Sequence, residues 1–460
     1  MAKAGQIDRR NYHWLLGVIY VMILFGLVMI LSASSVRAFA ATGDSYHYVK
    51  RQLIAILLGS ILILLFSQIR VRALSKIATA SIFVAIAMLA AVLIPGIGKV
   101  AGGSSRWIPV GFFNLQPSEF TKIAVALYTA DFLARRKNKP ISLNDLIYPY
   151  GILMIIIVFL VMEQPDLGTT LSICLLAFIM LFLGGLNLKY VAAIAAAGLA
   201  GGAYFIFSSE GGYRLERFKA FLDPSSDPLG SGWHIKQSLI ALGSGGLFGA
   251  GLSLGRQKFF YLPAPHTDFI FAVIGEELGL LGTIFTVSLF VIFTYYGIKI
   301  SLRCKDYFGR LLGIGLTVMI AIQALVNMGA VTGVLPVTGI PMPFISYGGS
   351  SLLVNMAAVG ILFSIALNNI REDLLVGRRR NLRLVVGNRS SNRLSNRSTS
   401  RSSKSRSASG SRSRLDLTTK TSKTRRAKSN AGGNKRRRNS RSRISRSSSR
   451  QGTPKGKKRS

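Results

Sequence analysis

Apolar residues in this chain come in blocks too long for the core of a soluble domain. Ten runs alternate with short polar stretches: Leu15–Leu31, Leu53–Ile69, Ile77–Ile94, Phe120–Leu133, Leu146–Met162, Thr170–Leu186, Val191–Phe207, Phe269–Ile300, Leu311–Val331 and Leu352–Leu367. A helix rises about 1.5 Å per residue and the bilayer interior is about 30 Å thick, so about 20 apolar residues cross it. The pattern predicts an all-α polytopic membrane protein with about ten transmembrane helices. The fourth run is the most polar, with Lys122 and Asp131 inside it, and the eighth is long enough to tilt or project from the bilayer.

The first run imitates a secretory signal peptide. Arg9 and Arg10 precede it and the small residues of SASSVRAFA follow. Its 17 residues exceed the usual apolar core of about 7–15, and many spans follow, so it reads as a retained first helix.

Basic residues set the predicted orientation. One set of short loops holds 15 of them: Lys3, Arg9, Arg10, Arg70, Arg72, Lys76, Arg135, Arg136, Lys137, Lys139, Lys189, Lys299, Arg303, Lys305 and Arg310. The opposite short loops hold five: Arg37, Lys50, Arg51, Lys99 and Arg106. The richer side is expected to be cytoplasmic, with both termini there and a large extracytoplasmic loop over residues 208–267. Three Gly- and Pro-rich segments fall on the outer side, Gly102–Pro117, Asp223–Pro263 and Val334–Gly349. Irregular backbone at membrane depth survives only inside protein or along a cavity, so one outward-facing cavity is expected.

Composition divides the chain in two. Residues 371–460 hold 30 of the 57 Lys and Arg but 3 of the 18 acids, a net +27, against +12 for residues 1–370. The tail is Arg, Ser, Lys, Asn and Thr with almost no aromatics, so it is expected to be a disordered basic cytoplasmic tail. Such a tail suits anionic membrane lipid or an acidic protein; tethering to the membrane ranks nucleic acid below both. Cys174 and Cys304 have no disulfide or zinc spacing, and the four histidines form no metal motif.

The stretch KFFYLPAPHTDFIFAVIGEELG, Lys258–Gly279, puts Asp268 where the long outer loop meets an apolar run, with Glu276 and Glu277 further in. An acid at the centre of a bilayer costs roughly 2.5–3.5 kcal/mol, which makes Asp268 a functional candidate; the plain alternative is an acid serving a helix dipole.

Other outer segments carry further candidates. Arg106, Gln116, Glu119 and Lys122 lie in RWIPVGFFNLQPSEFTK. Glu119 and Lys122 share a helix face and can pair, while Arg106 and Lys122 could hold a phosphate; a buried structural pair is the alternative for Glu119–Lys122. Asp166 in QPDLGTT could cap a helix through Thr169 or touch substrate. Lys236, Gln237 and Lys258 flank a glycine cluster, Gly243, Gly245, Gly246, Gly249 and Gly251, that lacks the Lys-Ser/Thr ending of a nucleotide loop. Its backbone amides could still face an anion. Ser346 and Tyr347 offer hydroxyls in a Pro- and Gly-rich hairpin flanked by Asn327 and Asn355, which could equally be a packing plug.

Taken together, these segments resemble the SEDS family (shape, elongation, division and sporulation) over about Tyr12–Ile370. NMGAVTGVLPVTGIPMPFISYGGSS, Asn327–Ser351, resembles the family signature along its whole length, and the other blocks follow in the family's order. One departure is Ala264, where an acid is common. LSASS and GDSYHYVKRQL look more like the division type than the elongation type.

The resemblance implies a ten-helix peptidoglycan glycosyltransferase that polymerises lipid II, partnered by a class B penicillin-binding protein and other division proteins at the septum. It maps the essential acid to Asp268, as general base on the GlcNAc 4-hydroxyl. Arg106, Lys122, Lys236 or Lys258 would neutralise the leaving undecaprenyl pyrophosphate, with Mg or Mn left open as a cofactor. A lipid II flippase and a noncatalytic scaffold are the other functions weighed.

Overall fold

In a computed structural model, the described residues are 2–101, 104–111, 113–137, 141–207, 221–223, 230–259, 261–371 and 374–375. The basic tail from residue 376 on lies outside them, as does most of the outer loop at 208–229.

Each of the ten apolar runs lies on a helix. In chain order these are α1 (Ala2–Thr42), α2 (His47–Gln68), α3 (Val71–Leu93), α4 (Pro117–Arg135), α5 (Leu143–Met162), α6 (Leu167–Leu183) and α7 (Leu188–Phe207). After α8 (Ser231–Ser244) come α9 (Ile270–Leu302), α10 (Tyr307–Val331) and α11 (Gly349–Arg371). Seven of them, α1, α2, α3, α5, α9, α10 and α11, are long and apolar enough to cross a membrane. α4 is too polar for that test, and α6 and the apolar part of α7 are shorter.

The all-α expectation needs one correction. The segment after α3 forms a small antiparallel sheet in the order β1 (Lys99–Ala101), β2 (Ser104–Val110), β3 (Phe113–Leu115). Trp107 pairs with Lys99 and Ile108 with Leu115. Strands this short leave no long apolar run, so only their glycines and prolines marked the segment. The outer loop also contains α8, a helix inside a stretch expected to be irregular.

Burial patterns explain which helices face lipid. In α2 the buried positions are Gln52, Ala55, Gly59 and Ile63, one stripe at helical spacing. The opposite face is also apolar, with Leu53, Leu57, Ile61 and Leu64 exposed, as a lipid-facing surface requires. α4 is the reverse case. Every residue from Pro117 to Leu133 is buried except Phe120, so its charges must find partners inside the protein. Asp131 does so with Arg135 at 2.7 Å and Ser75 at 2.8 Å.

α4 packs on α3, α10 and α6, while α9 packs on α10 and α1. α11 is almost wholly enclosed. Its Gly360 lies so close to α2 that a methyl there would stand 3.0 Å from the backbone of Ile63.

Candidate functional site

Asp268 ends the outer loop, two residues before α9 begins. The preceding turn is closed by Ala264, whose carbonyl accepts from Thr267 N at 3.2 Å and Thr267 Oγ1 at 3.1 Å. Ala264 takes a φ of +41°, left-handed backbone that Asp or Asn tolerates better than Ala. The Asp268 side chain is half-exposed and faces the hairpin between α10 and α11. A methyl on Gly339 of that hairpin would stand 3.8 Å from Asp268 Oδ2, an ordinary contact; it is the φ of +71° that favours glycine there.

Three side chains fasten the hairpin to its surroundings. Asn327 Nδ2, from α10, donates to Asp268 O at 2.8 Å and to Ile340 O at 2.7 Å. Gln323 Nε2, one turn earlier, donates to Pro341 O at 3.1 Å and Ser351 Oγ at 2.9 Å. Gln52 Nε2 donates to Ser346 O at 3.3 Å. Within the hairpin, Ser346 Oγ accepts from Met342 N at 2.9 Å, so this hydroxyl closes a turn. Tyr347 N donates to His266 O at 2.9 Å, joining hairpin and Asp268 loop a second time.

His266 is buried against Tyr48, with ring centroids 4.4 Å apart, and near Tyr347 at 5.7 Å. Burial, then the charge of Arg37, pushes its imidazole down to about 4, so it is neutral near pH 7. Burial also raises the Tyr347 phenol, so its hydroxyl keeps its proton.

The remaining candidates divide into those gathered at the hairpin and those placed elsewhere. Asp166 caps α6: Oδ1 accepts from Thr169 N at 3.1 Å, and Oδ2 from Thr169 Oγ1 at 2.9 Å and Gln116 Nε2 at 3.2 Å. Two residues on, Gly168 abuts the hairpin, where a methyl would lie 2.8 Å from Thr338 O. Arg106 Nε donates to Gln164 O at 2.9 Å and its Nη2 to Pro165 O, so its guanidinium fastens β2 to the turn before α6. Lys122 Nζ lies 2.8 Å from both Glu119 Oε1 and Gln323 Oε1, completely buried, while Glu119 Oε2 has no partner among the described residues.

Lys258 lies 2.7 Å from Glu277, both buried, so its charge is neutralised inside the protein and not offered to an anion near Asp268. Lys236 is exposed on α8, with no carboxylate or carbonyl partner among the described residues, while Gln237 is buried on the same helix. α8 reaches the Asp268 turn through His234, whose ring meets Phe269 edge-on at 6.3 Å. Among the described residues no three His, Cys, Asp or Glu side chains form a group able to hold a metal ion.

Sequence reading had not singled out Gln52, Gln323 or Ser32, the serine on α1 that hydrogen-bonds Glu277. A polar amide inside the apolar run Leu311–Val331 was the available signal for Gln323; Gln52 stands just before its run, beside Arg51, and carried no such signal.

Comparison with known proteins bears on this arrangement. A model of the family described as "Cell cycle protein", covering FtsW, RodA and SpoVE, matches residues 12–370. The chain is 44% identical over 352 residues to a protein of Trichlorobacter lovleyi named probable peptidoglycan glycosyltransferase FtsW, covering 76% of this chain and 92% of that one. It is 41% identical over 356 residues to stage V sporulation protein E of Bacillus subtilis, covering 76% and 96%. Among solved structures, a chain from a study of how a peptidoglycan synthase complex coordinates polymerization and crosslinking superposes with a TM-score of 0.64 at 28% identity, covering 77% of this chain and 97% of that one. The rod shape determining protein RodA of Thermus thermophilus gives 0.57 at 26% identity, covering 77% and 96%.

Proposed function

The chain belongs to the FtsW/RodA/SpoVE family of cell cycle proteins, and from that membership we propose that it is a division-type peptidoglycan glycosyltransferase. It polymerises lipid II at the outer face of the cytoplasmic membrane. The observation that carries this reading is Asp268, half-exposed and held beside Gly339 at the meeting point of outer loop, α9 and hairpin. The basic loops favour placing this end of the bundle outside and the termini inside.

Asp268 serves as the general base. Its carboxylate takes the proton of the GlcNAc 4-hydroxyl of one lipid-linked disaccharide. The oxygen attacks the anomeric carbon of MurNAc on the other. The bond from that carbon to the pyrophosphate oxygen breaks, and undecaprenyl pyrophosphate leaves with the electron pair. A base aligned within hydrogen-bond reach contributes about 10²–10⁴-fold.

Of the four candidate cations Arg106, Lys122, Lys236 and Lys258, it is Lys236, exposed on the helix packed beside the Asp268 turn, that meets the leaving pyrophosphate. Arg106, Gln116, Asp166, Glu119, Lys122, Ser346 and Tyr347 act by building and holding the hairpin. A class B penicillin-binding protein supplies the cross-linking partner, and the protein works at the septum. The basic tail, residues 371–460, contacts anionic lipid or an acidic division protein such as FtsZ.

The test is polymerisation of lipid II by the purified full-length protein, with and without the penicillin-binding partner. Glycan chains from the wild type and none from Asp268→Asn are expected. Polymer from neither would sink the enzyme reading and leave the flippase or scaffold.

A further inference from the structure

α9 is interrupted at Gly279, whose φ of +66° and ψ of −160° suit glycine alone. In an unbroken helix the amides of Leu280 and Leu281 would donate to the carbonyls of Glu276 and Glu277. Here both pairs are exchanged with the loop that follows α8. Leu280 N donates to Gly246 O at 2.9 Å and Leu281 N to Leu247 O at 3.3 Å. Glu276 O accepts from Ala250 N at 2.9 Å and Glu277 O from Gly251 N at 3.0 Å.

Residues 245–251 therefore form a strap threaded into the break, and all four displaced groups are satisfied. Close approach explains two of the glycines. A methyl on Gly245 would lie 1.9 Å from Gly275 O, and one on Gly249 2.2 Å from Glu277 O.

The side chains of the two glutamates hold the continuation of the strap. Glu276 accepts from Arg256 N at 2.5 Å and Gln257 N at 3.0 Å. Glu277 accepts from Ser253 N at 3.1 Å, from Lys258 Nζ at 2.7 Å, and from Ser32 Oγ of α1 at 2.6 and 2.7 Å to its two oxygens. Lys258 Nζ also donates to Ser32 Oγ at 3.1 Å. Buried charge is costly unless paired and hydrogen-bonded; here the two charges pair at 2.7 Å and share Ser32, in a cluster that joins α1, the strap and α9. The chemistry assigned to Asp268 uses none of it.

Between the Asp268 turn and the break lies a short helical arm, residues 270–278. Glu277 sits at its far end. The arm is about 13 Å long, so a tilt of about 5° at the break would move Asp268 by about 1 Å. A misplacement of that size can cost about 100-fold in rate.

We infer that Glu277, with Lys258 and Ser32, is a positioning residue for Asp268: the buried lock sets the angle of the arm and so the place of the carboxylate. This rests on the reading of Asp268 as the general base.

The test uses full-length Lys258→Met/Glu277→Gln, in which neither charge is left buried alone. Thermal midpoint, kcat and KM for lipid II polymerisation are measured with the partner present and with Asp268→Asn alongside. The expected result is a near-wild-type midpoint, KM within about twofold and kcat lower by about 10- to 100-fold. Ser32→Ala, small enough for α1 to absorb, keeps both charges and is expected to lower kcat several-fold at unchanged KM. A folded double variant with wild-type kcat overturns the inference; if the double variant does not fold, wild-type kcat in Ser32→Ala overturns it. Wild-type activity in Asp268→Asn instead removes the reading of Asp268 itself.

Discussion

The amide nitrogen of Asn327 binds the backbone of Asp268 at 2.8 Å and that of Ile340 at 2.7 Å. One side chain from α10 thus sets the spacing between the proposed base and the hairpin it faces. Asn327→Leu keeps the volume but leaves two carbonyls without this donor, each worth about 1–3 kcal/mol when buried and unpaired. We expect folded protein of lower thermal midpoint whose kcat for lipid II polymerisation falls at least tenfold. Asn327→Leu with an unchanged kcat would separate the hairpin from the chemistry.

Arg106 separates two roles for a cation in the outer segments. Its guanidinium is bound to the carbonyls of Gln164 and Pro165, which lead into the Asp166 cap. Arg106→Ala is expected to lower kcat through a loosened α6 start. Arg106→Lys is expected to rescue only partly, because an ammonium lacks the planar fork that reaches two carbonyls. A change confined to KM for lipid II would instead assign Arg106 to the pyrophosphate.

His266 makes the site acid-sensitive. Its imidazole is held near 4 in the folded protein against an ordinary 6.5, chiefly by burial. Between those values the unfolded chain binds the proton and the folded chain does not, so the contribution to stability is complete above about pH 6.5 and falls as pH drops towards 4. The expected outcome is a thermal midpoint that declines over that window and declines less in His266→Gln. Equal slopes in the two proteins would remove His266 as the cause.

Lipid-facing surfaces made the helices legible. Leu53, Leu57 and Ile61 are apolar on the outward face of α2, so the run stands out with no knowledge of its packing. The same logic made α4 the most polar of the ten runs, because burial on all sides permits Glu119, Lys122 and Asp131 provided each finds a partner. Lys122 pairs with Glu119 and Asp131 with Arg135 on α4 itself, but the further partners Gln323 and Ser75 come from other helices, and that pairing is a property of the bundle.

Lys258 shows the limit most clearly. It stands ten residues from Asp268, which made it a plausible cation, but the strap carries it to Glu277 and Ser32. The glycine cluster of the strap could be seen to lack a nucleotide-loop ending. That its glycines serve a broken helix could not be seen before Gly279 was known to interrupt α9. α8 was within reach, since Ile235, Ser238 and Leu242 repeat at helical spacing inside a stretch otherwise rich in glycine.

Asp268→Glu tests placement more sharply than removal of the charge. Glu keeps a carboxylate of nearly the same basicity, so a role that needs only negative charge would survive it. One added methylene moves the carboxylate by about 1.5 Å, towards or past the surface of Gly339, and misplacement on this scale is worth about 100-fold. A general base should therefore lose most of its rate in the Glu variant while lipid II binding is kept. The assay supplies lipid II directly in detergent, where nothing has to be flipped. A flippase that used Asp268 for transport would leave polymerisation under these conditions untouched in both the Asn and the Glu variants. Loss in both, with binding of lipid II and of the partner retained, is the expected result. Wild-type polymer from the Glu variant would mean that the carboxylate is not held to a fixed position, and the lock at Glu277 would then have no target.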